Sequence, residues 1–212
     1  MIRFSFFGIP VEIQPWFWVI LALIGSNFGR MDEGSNQALL IALFVIAGGF
    51  SIFVHELGHA LTGKMFRARP FIVLHGFGGY AAFPGSYFSQ WQSFLVTAAG
   101  PAIQLMLGGL ALFANYMMPE LSDMFRIFLT DLALVSIFWA LLNLLPVIPL
   151  DGGQMMAALL GPQRRKLSLQ VSMIAAVVCV ALMWKFGIGT LMPFYLLYFA
   201  WLNYQEMKDT GY

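Results

Sequence analysis

Apolar runs dominate the chain, and charged residues fall in short clusters between them. Stretches free of Asp, Glu, Lys and Arg cover 13–29, 34–54, 70–119, 132–150, 167–184 and 186–205. A helix that crosses a bilayer needs roughly 20 predominantly apolar residues. Residues 70–119 are too long for one such helix, and "HGFGGYAAFPGS" interrupts them. They divide into an apolar loop over about 70–90 and a helix over about 91–118. The pattern predicts six spans, at approximately 13–29, 37–63, 91–118, 127–146 continuing broken to 160, 167–184 and 186–205. Neither a repeat nor a linker interrupts the series, so residues 1–212 are expected to form a single transmembrane domain.

Two segments read differently. Residues 2–13, "IRFSFFGIPVEI", alternate loosely and break at Gly8-Ile9-Pro10, which predicts a short hairpin at the membrane interface. Residues 70–83, "PFIVLHGFGGYAAF", are β-branched and aromatic around glycines and predict a β-ribbon. Unpaired backbone cannot face lipid, so this ribbon must pack on protein or line a wet cavity. The expected fold class is therefore all-α integral membrane: a six-helix transmembrane bundle with a small membrane-associated β-ribbon and one broken helix.

Composition agrees. Of 212 residues, 60% are hydrophobic and 10% charged, where a soluble domain carries about 25% charged residues. A net charge of +1 gives no footprint for nucleic acid. The single cysteine, Cys179 in "AAVVCVAL", reads as a small buried hydrophobe. Arg3, Glu12 and two prolines precede the first apolar run and no small-residue cleavage site follows it, so the first helix is expected to stay in the membrane. With the N-terminus inside, the inner face receives Arg3, Lys64, Arg67, Arg69, Arg164, Arg165, Lys166 and Lys208. The outer face receives Arg30, Arg126 and Lys185, alongside Asp32, Glu33, Glu120 and Asp123. The excess of Lys and Arg inside places both termini in the cytoplasm.

The chemistry concentrates in "FVHELGHAL", residues 53–61. His55 and His59 are four apart, so a helix stacks both imidazoles on one face. That spacing chelates zinc, with Glu56 beside the metal as general base. An ionisable group at bilayer depth costs at least ~2.5–3.5 kcal/mol on insertion scales, which marks a functional site. A catalytic zinc takes three protein ligands and a water. The preferred third ligand is Asp151, in "NLLPVIPLDGG", residues 143–153. There Pro146 and Pro149 break the helix and Gly152-Gly153 admits close backbone approach. His75, in the glycine-rich segment, is the other candidate. Asn143 can donate a hydrogen bond to a developing oxyanion or bridge two helices as a buried amide.

These residues resemble the site-2 protease family of intramembrane zinc metalloproteases, over most of the chain. "HELGHA" matches the family's zinc helix, and "NLLPVIPLDGG" its second motif on a broken helix. "HGFGGYA" resembles its ribbon between the second and third spans, and "AAGPAIQ" its Gly-Pro motif opening the third. Gln104 stands where an Asn is common, and Gln14 where a His often precedes Pro. The resemblance implies one Zn²⁺ per chain on His55, His59 and Asp151, catalysis by Glu56 and an active-site role for Asn143. It also implies a short form without PDZ or CBS modules, in a prokaryotic plasma membrane. The implied substrate is a transmembrane segment of another protein, cut so that a cytoplasmic fragment is released. Partners are then that substrate and the bilayer, with no nucleic acid and no soluble cofactor. Because a helix hides its peptide bonds, the substrate must unwind, and Phe77-Gly78-Gly79-Tyr80 offers a strand edge to receive it. Alternatives are a metal-ion transporter, which generally needs several ligands along a path, and a non-catalytic membrane adaptor.

Overall fold

The computed structural model describes residues 1–28, 36–118, 120–187 and 192–209. The expected outer-loop charges Arg30, Asp32 and Glu33 lie outside them. In chain order come β1 (Ile2–Phe6), β2 (Ile9–Ile13), α1 (Pro15–Phe28), α2 (Gln37–Met65), β3 (Phe71–His75), β4 (Gly78–Ala82), α3 (Gln90–Met117), α4 (Asp123–Asn143), α5 (Asp151–Leu160), α6 (Arg165–Phe186) and α7 (Met192–Asp209). Helices stand at all six expected places. Among the described residues, four helices are long and apolar enough to cross a membrane: α2, α3, α4 and the segment Pro162–Phe186 that contains α6. The chain is an integral membrane protein that is mostly helical, with a small sheet. α1 starts later than expected because Ile13 belongs to β2 and the Gln14 N–H donates to Leu74 O of β3 at 2.8 Å. α7 ends in "NYQEMKD", which lowers its hydropathy.

The chain divides into two compact units, Met1–Tyr87 with Ala99–Ala140 and Phe88–Ala98 with Leu141–Tyr212. In the first unit the N-terminal hairpin and the ribbon, expected as separate pieces, join into one four-stranded sheet of order β1-β2-β3-β4. β2 and β3 pair in parallel, Val11 opposite Ile72 and Ile13 opposite Leu74, and the other pairings are antiparallel. Phe7 and Gly8 close the first hairpin with φ of 49° and 69°, the two positive φ values of the hairpin turn that matches strand twist. Lys64, near the end of α2, donates to Phe7 O at 2.6 Å and holds that turn. The period of two in β2 buries Ile9, Val11 and Ile13. With Ile72 and Leu74 they pack on Phe17 and Leu21 of α1 and Ile52, Leu57 and Ala60 of α2. A second cluster joins Ala47, Ala111, Leu129, Leu132 and Ala133 of α2, α3 and α4.

In the second unit, residues 144–150 form the break that the two prolines predict. Bonds such as Leu150 N–H to Val147 O, 2.7 Å, replace the helical ladder. A Cβ on Gly152 would strike the Leu144 and Leu145 carbonyls, and one on Gly153 the backbone of Val147 and Ile148. The glycine pair therefore lets the loop fold onto the first turn of α5. Val147 packs with Ala176, Val180 and Leu196 of α6 and α7. Two buried side chains pin the loop: Ile148 N–H donates to Ser172 Oγ at 2.8 Å, and Asn203 Nδ2 donates to Ile148 O at 2.9 Å and Ser172 Oγ at 2.8 Å. Asn203→Leu strands a buried carbonyl, at a cost of about 1–3 kcal/mol. Reversible denaturation in detergent should show that loss, and an unchanged midpoint would remove Asn203 from the loop's support.

Candidate active site

The site is built on the middle of α2, where every residue from His55 to Ala60 is buried. Ser51, His55 and His59 recur every fourth residue and so share one face. The His55 and His59 Nε2 atoms face each other at 3.0 Å, with ring planes 84° apart. That face lies against α3, which runs past it in the opposite sense: Gln104 meets His55 and Gly100 meets His59. Close approach needs small residues on both helices. A Cβ on Gly58 would come within 2.7 Å of Ala99 O, and one on Gly100 would collide with the His59 ring. Gly100 makes the room in which His59 turns its Nε2 toward His55.

Glu56 is 5% exposed and lies beside β4, the edge strand of the sheet. A Cβ on Gly79 would sit 2.7 Å from Glu56 Cγ and 2.9 Å from its Oε1. Glycine there lets the carboxyl pack directly on the strand backbone. Gly78, at φ 120°, opens β4, while Phe77 and Tyr80 are exposed at and beside the hairpin tip. His75 has a local role: its Nδ1 accepts the Phe77 N–H at 3.2 Å within the same turn. Burial holds its pKa below the usual imidazole value, which keeps the ring neutral and able to accept.

In the second unit, Asn143 is the last residue of α4 and Asp151 the first of α5, both half-buried, at the two ends of the pinned loop. A carboxylate in the first turn of a helix is favoured by the backbone dipole.

Sequence reasoning left Gln104 without a role, and read Gly79 as part of a strand edge without its contact to Glu56. Gln104 accepts the His55 Nδ1–H at 2.9 Å through Oε1, and Gly79 borders the catalytic-type glutamate. Both carry a sequence signal. An amide in a long apolar helix needs a partner, and a glycine in a strand marks close approach.

Fold and site define an integral membrane protein built around a helix that presents a histidine pair and a glutamate. Residues 119–186 match the model of Peptidase family M50. The chain is 32% identical, over 73% of its length, to a putative zinc metalloprotease of Synechocystis, and covers 42% of that protein. It is 30% identical, again over 73%, to stage IV sporulation protein FB of Bacillus subtilis, and covers 49% of it. The chain thus spans less than half the length of these relatives. The site-2 protease from Methanocaldococcus jannaschii has the same fold, with a TM-score of 0.62 over 97% of this chain and 94% of that one, at 22% identity. Residues 119–186 thus carry the signature of peptidase family M50, the fold is that of a site-2 protease, and the resemblance drawn from the sequence motifs is borne out. The cofactor of this family is zinc. The residues fit it: two buried imidazoles whose Nε2 atoms face each other offer two donors of the type zinc prefers.

Proposed function

We propose that the chain is an intramembrane zinc metalloprotease that hydrolyses a peptide bond within the transmembrane segment of a membrane protein and releases a cytoplasmic fragment. The observation that carries this reading is the facing His55 and His59 Nε2 atoms, with Glu56 buried beside them on a membrane helix. Asp151, the first residue of α5, is the third ligand of this reading, drawn from its motif; two imidazoles and a carboxylate with an open fourth position are the pattern of hydrolytic zinc.

Bound zinc supplies Lewis acidity that activates water and polarises the scissile carbonyl. Glu56 takes the proton of the attacking water and passes it to the leaving amine. Asn143 donates a hydrogen bond to the developing oxyanion. The outer edge of β4 receives the unwound substrate as an added strand, with Gly78 and Gly79 allowing it near Glu56 and with Phe77 and Tyr80 flanking it. The closeness of Gly79 to the Glu56 carboxyl supports this.

We place both termini in the cytoplasm of a prokaryotic cell, on the charge bias and the bacterial and archaeal relatives. α2 then runs inward. Its apolar stretch, about 38–63, centres near residue 51, and the motif lies about six residues further on. At 1.5 Å per residue the site sits about 9 Å to the cytoplasmic side of the midplane. A substrate cut there leaves its inner fragment fewer apolar residues than the roughly 20 a span needs, and the fragment is released. Mass spectrometry of the new termini is expected to place them in the inner half of the substrate's span. Single cysteines at positions 120 and 166, in a Cys179→Ala background, are expected to label from outside and inside respectively. The reverse labelling, or termini in the outer half, overturns the direction of release.

A further inference from the structure

We infer that Gln104 is the positioning residue that sets the tautomer and orientation of His55, through a buried chain of four side chains. Gln104, Ser51 and Ser136 are fully buried and His55 is 3% exposed. Gln104 Nε2 donates to Ser51 Oγ at 2.9 Å and approaches Ser51 O at 3.4 Å. A backbone carbonyl only accepts, so the amide NH₂ must face Ser51. The amide oxygen then faces His55 Nδ1, 2.9 Å away, and accepts a proton that Nδ1 must carry. With the proton on Nδ1, the lone pair of the neutral ring lies on Nε2, the atom that faces His59 Nε2.

The far end of the chain fixes the amide itself. Ser51 Oγ and Ser136 Oγ lie 2.8 Å apart. Ser51 Oγ accepts from Gln104 and shares a second hydrogen bond with Ser136, in which either hydroxyl can be the donor. The chain ties α2, α3 and α4 together where the donor nitrogen is aimed. Ser51 sits one turn before His55 on the same face, so the order Ser51, His55, His59 is itself part of the arrangement. Partners that hold the second nitrogen of a ligating histidine fix the ring and raise its basicity, and their loss typically weakens metal affinity 10–100-fold.

The inference rests on the zinc reading above, and the experiment separates the two. Full-length protein in detergent is stripped of metal. Zinc affinity is read by competition with a chromophoric chelator, and donor geometry by the visible spectrum of the cobalt(II) form. Gln104→Met keeps the length and apolar volume but removes the acceptor. Its zinc dissociation constant is expected to rise about 10–100-fold, with altered cobalt bands. Ser51→Ala removes the shorter of the two contacts that hold the amide NH₂, leaving only the 3.4 Å approach to the backbone carbonyl, and should move both readouts the same way by less. Wild-type affinity within about two-fold and an unchanged spectrum in Gln104→Met overturns the positioning role while leaving the zinc reading intact. If Gln104→Met does not fold, Ser51→Ala decides on the same two readouts, and unchanged values overturn the role. Failure of wild-type protein to bind zinc overturns both readings.

Discussion

Glu56→Gln is expected to lower the rate of substrate cleavage by about 10²–10⁴-fold, the usual contribution of a positioned general acid–base group, while zinc stays bound. Glutamine has the shape of glutamate, and the carboxyl at this position packs against Gly79 without forming part of the histidine face. The substitution therefore leaves His55, His59 and the strand contact in place and removes only the ability to take a proton. Cleavage of a membrane-spanning reporter in proteoliposomes gives the rate, and elemental analysis of the same preparation gives the metal. Substantial cleavage by the variant assigns the base elsewhere. Loss of zinc together with activity moves Glu56 into the metal's own support.

The parts of this molecule that are legible in sequence are those set by local periodicity. The bilayer demands long apolar helices, so α2, α3, α4 and α6 stand out as long apolar runs with few charges. A helix brings residues four apart together, so the His55–His59 pair is readable from spacing alone. Pro146 and Pro149 remove donors from the ladder, so the break before Asp151 is equally plain. What the pattern hides is non-local. The parallel pairing of Val11 with Ile72 joins strands separated by α1 and α2, and no local alternation announces it. It also claims Ile13 for the sheet and the Gln14 N–H for Leu74 O, which is why the first helix begins at Pro15 rather than 13. The His55–Gln104 bond spans 49 residues and depends on how α3 lies on α2. A lone amide in an apolar helix advertises that it needs a partner, without saying which. Gly100 reads only as part of a Gly-Pro pair until the His59 ring is seen to occupy the space a side chain would take.

The same conservative change at two glycines of α3 is expected to have opposite outcomes. A methyl at Gly100 has no room, because the ring atoms of His59 already fill that position. Either the ring rotates, or α2 and α3 separate at the point where Gly58 holds them close to Ala99 O. Rotation takes His59 Nε2 away from His55 Nε2, and misplacing a catalytic group by about 1 Å can cost 10²-fold in rate. Separation lengthens the Gln104 bond to His55 and adds an overpacking cost of typically 1–3 kcal/mol. Gly100→Ala is therefore expected to lose at least about 10²-fold in cleavage, with weaker zinc binding and a lower denaturation midpoint. At Gly109, nine positions on, a Cβ meets nothing within 4 Å and the residue is exposed. Alanine there gains roughly the 0.8–1 kcal/mol by which it exceeds glycine in a helix interior, and cleavage should stay at the wild-type rate. The two proteins differ by the place of one methyl on one helix, so a general effect of glycine replacement cancels in the comparison. Wild-type cleavage and zinc affinity in Gly100→Ala would show that α2 and α3 absorb the methyl, and that His59 does not depend on the space Gly100 leaves.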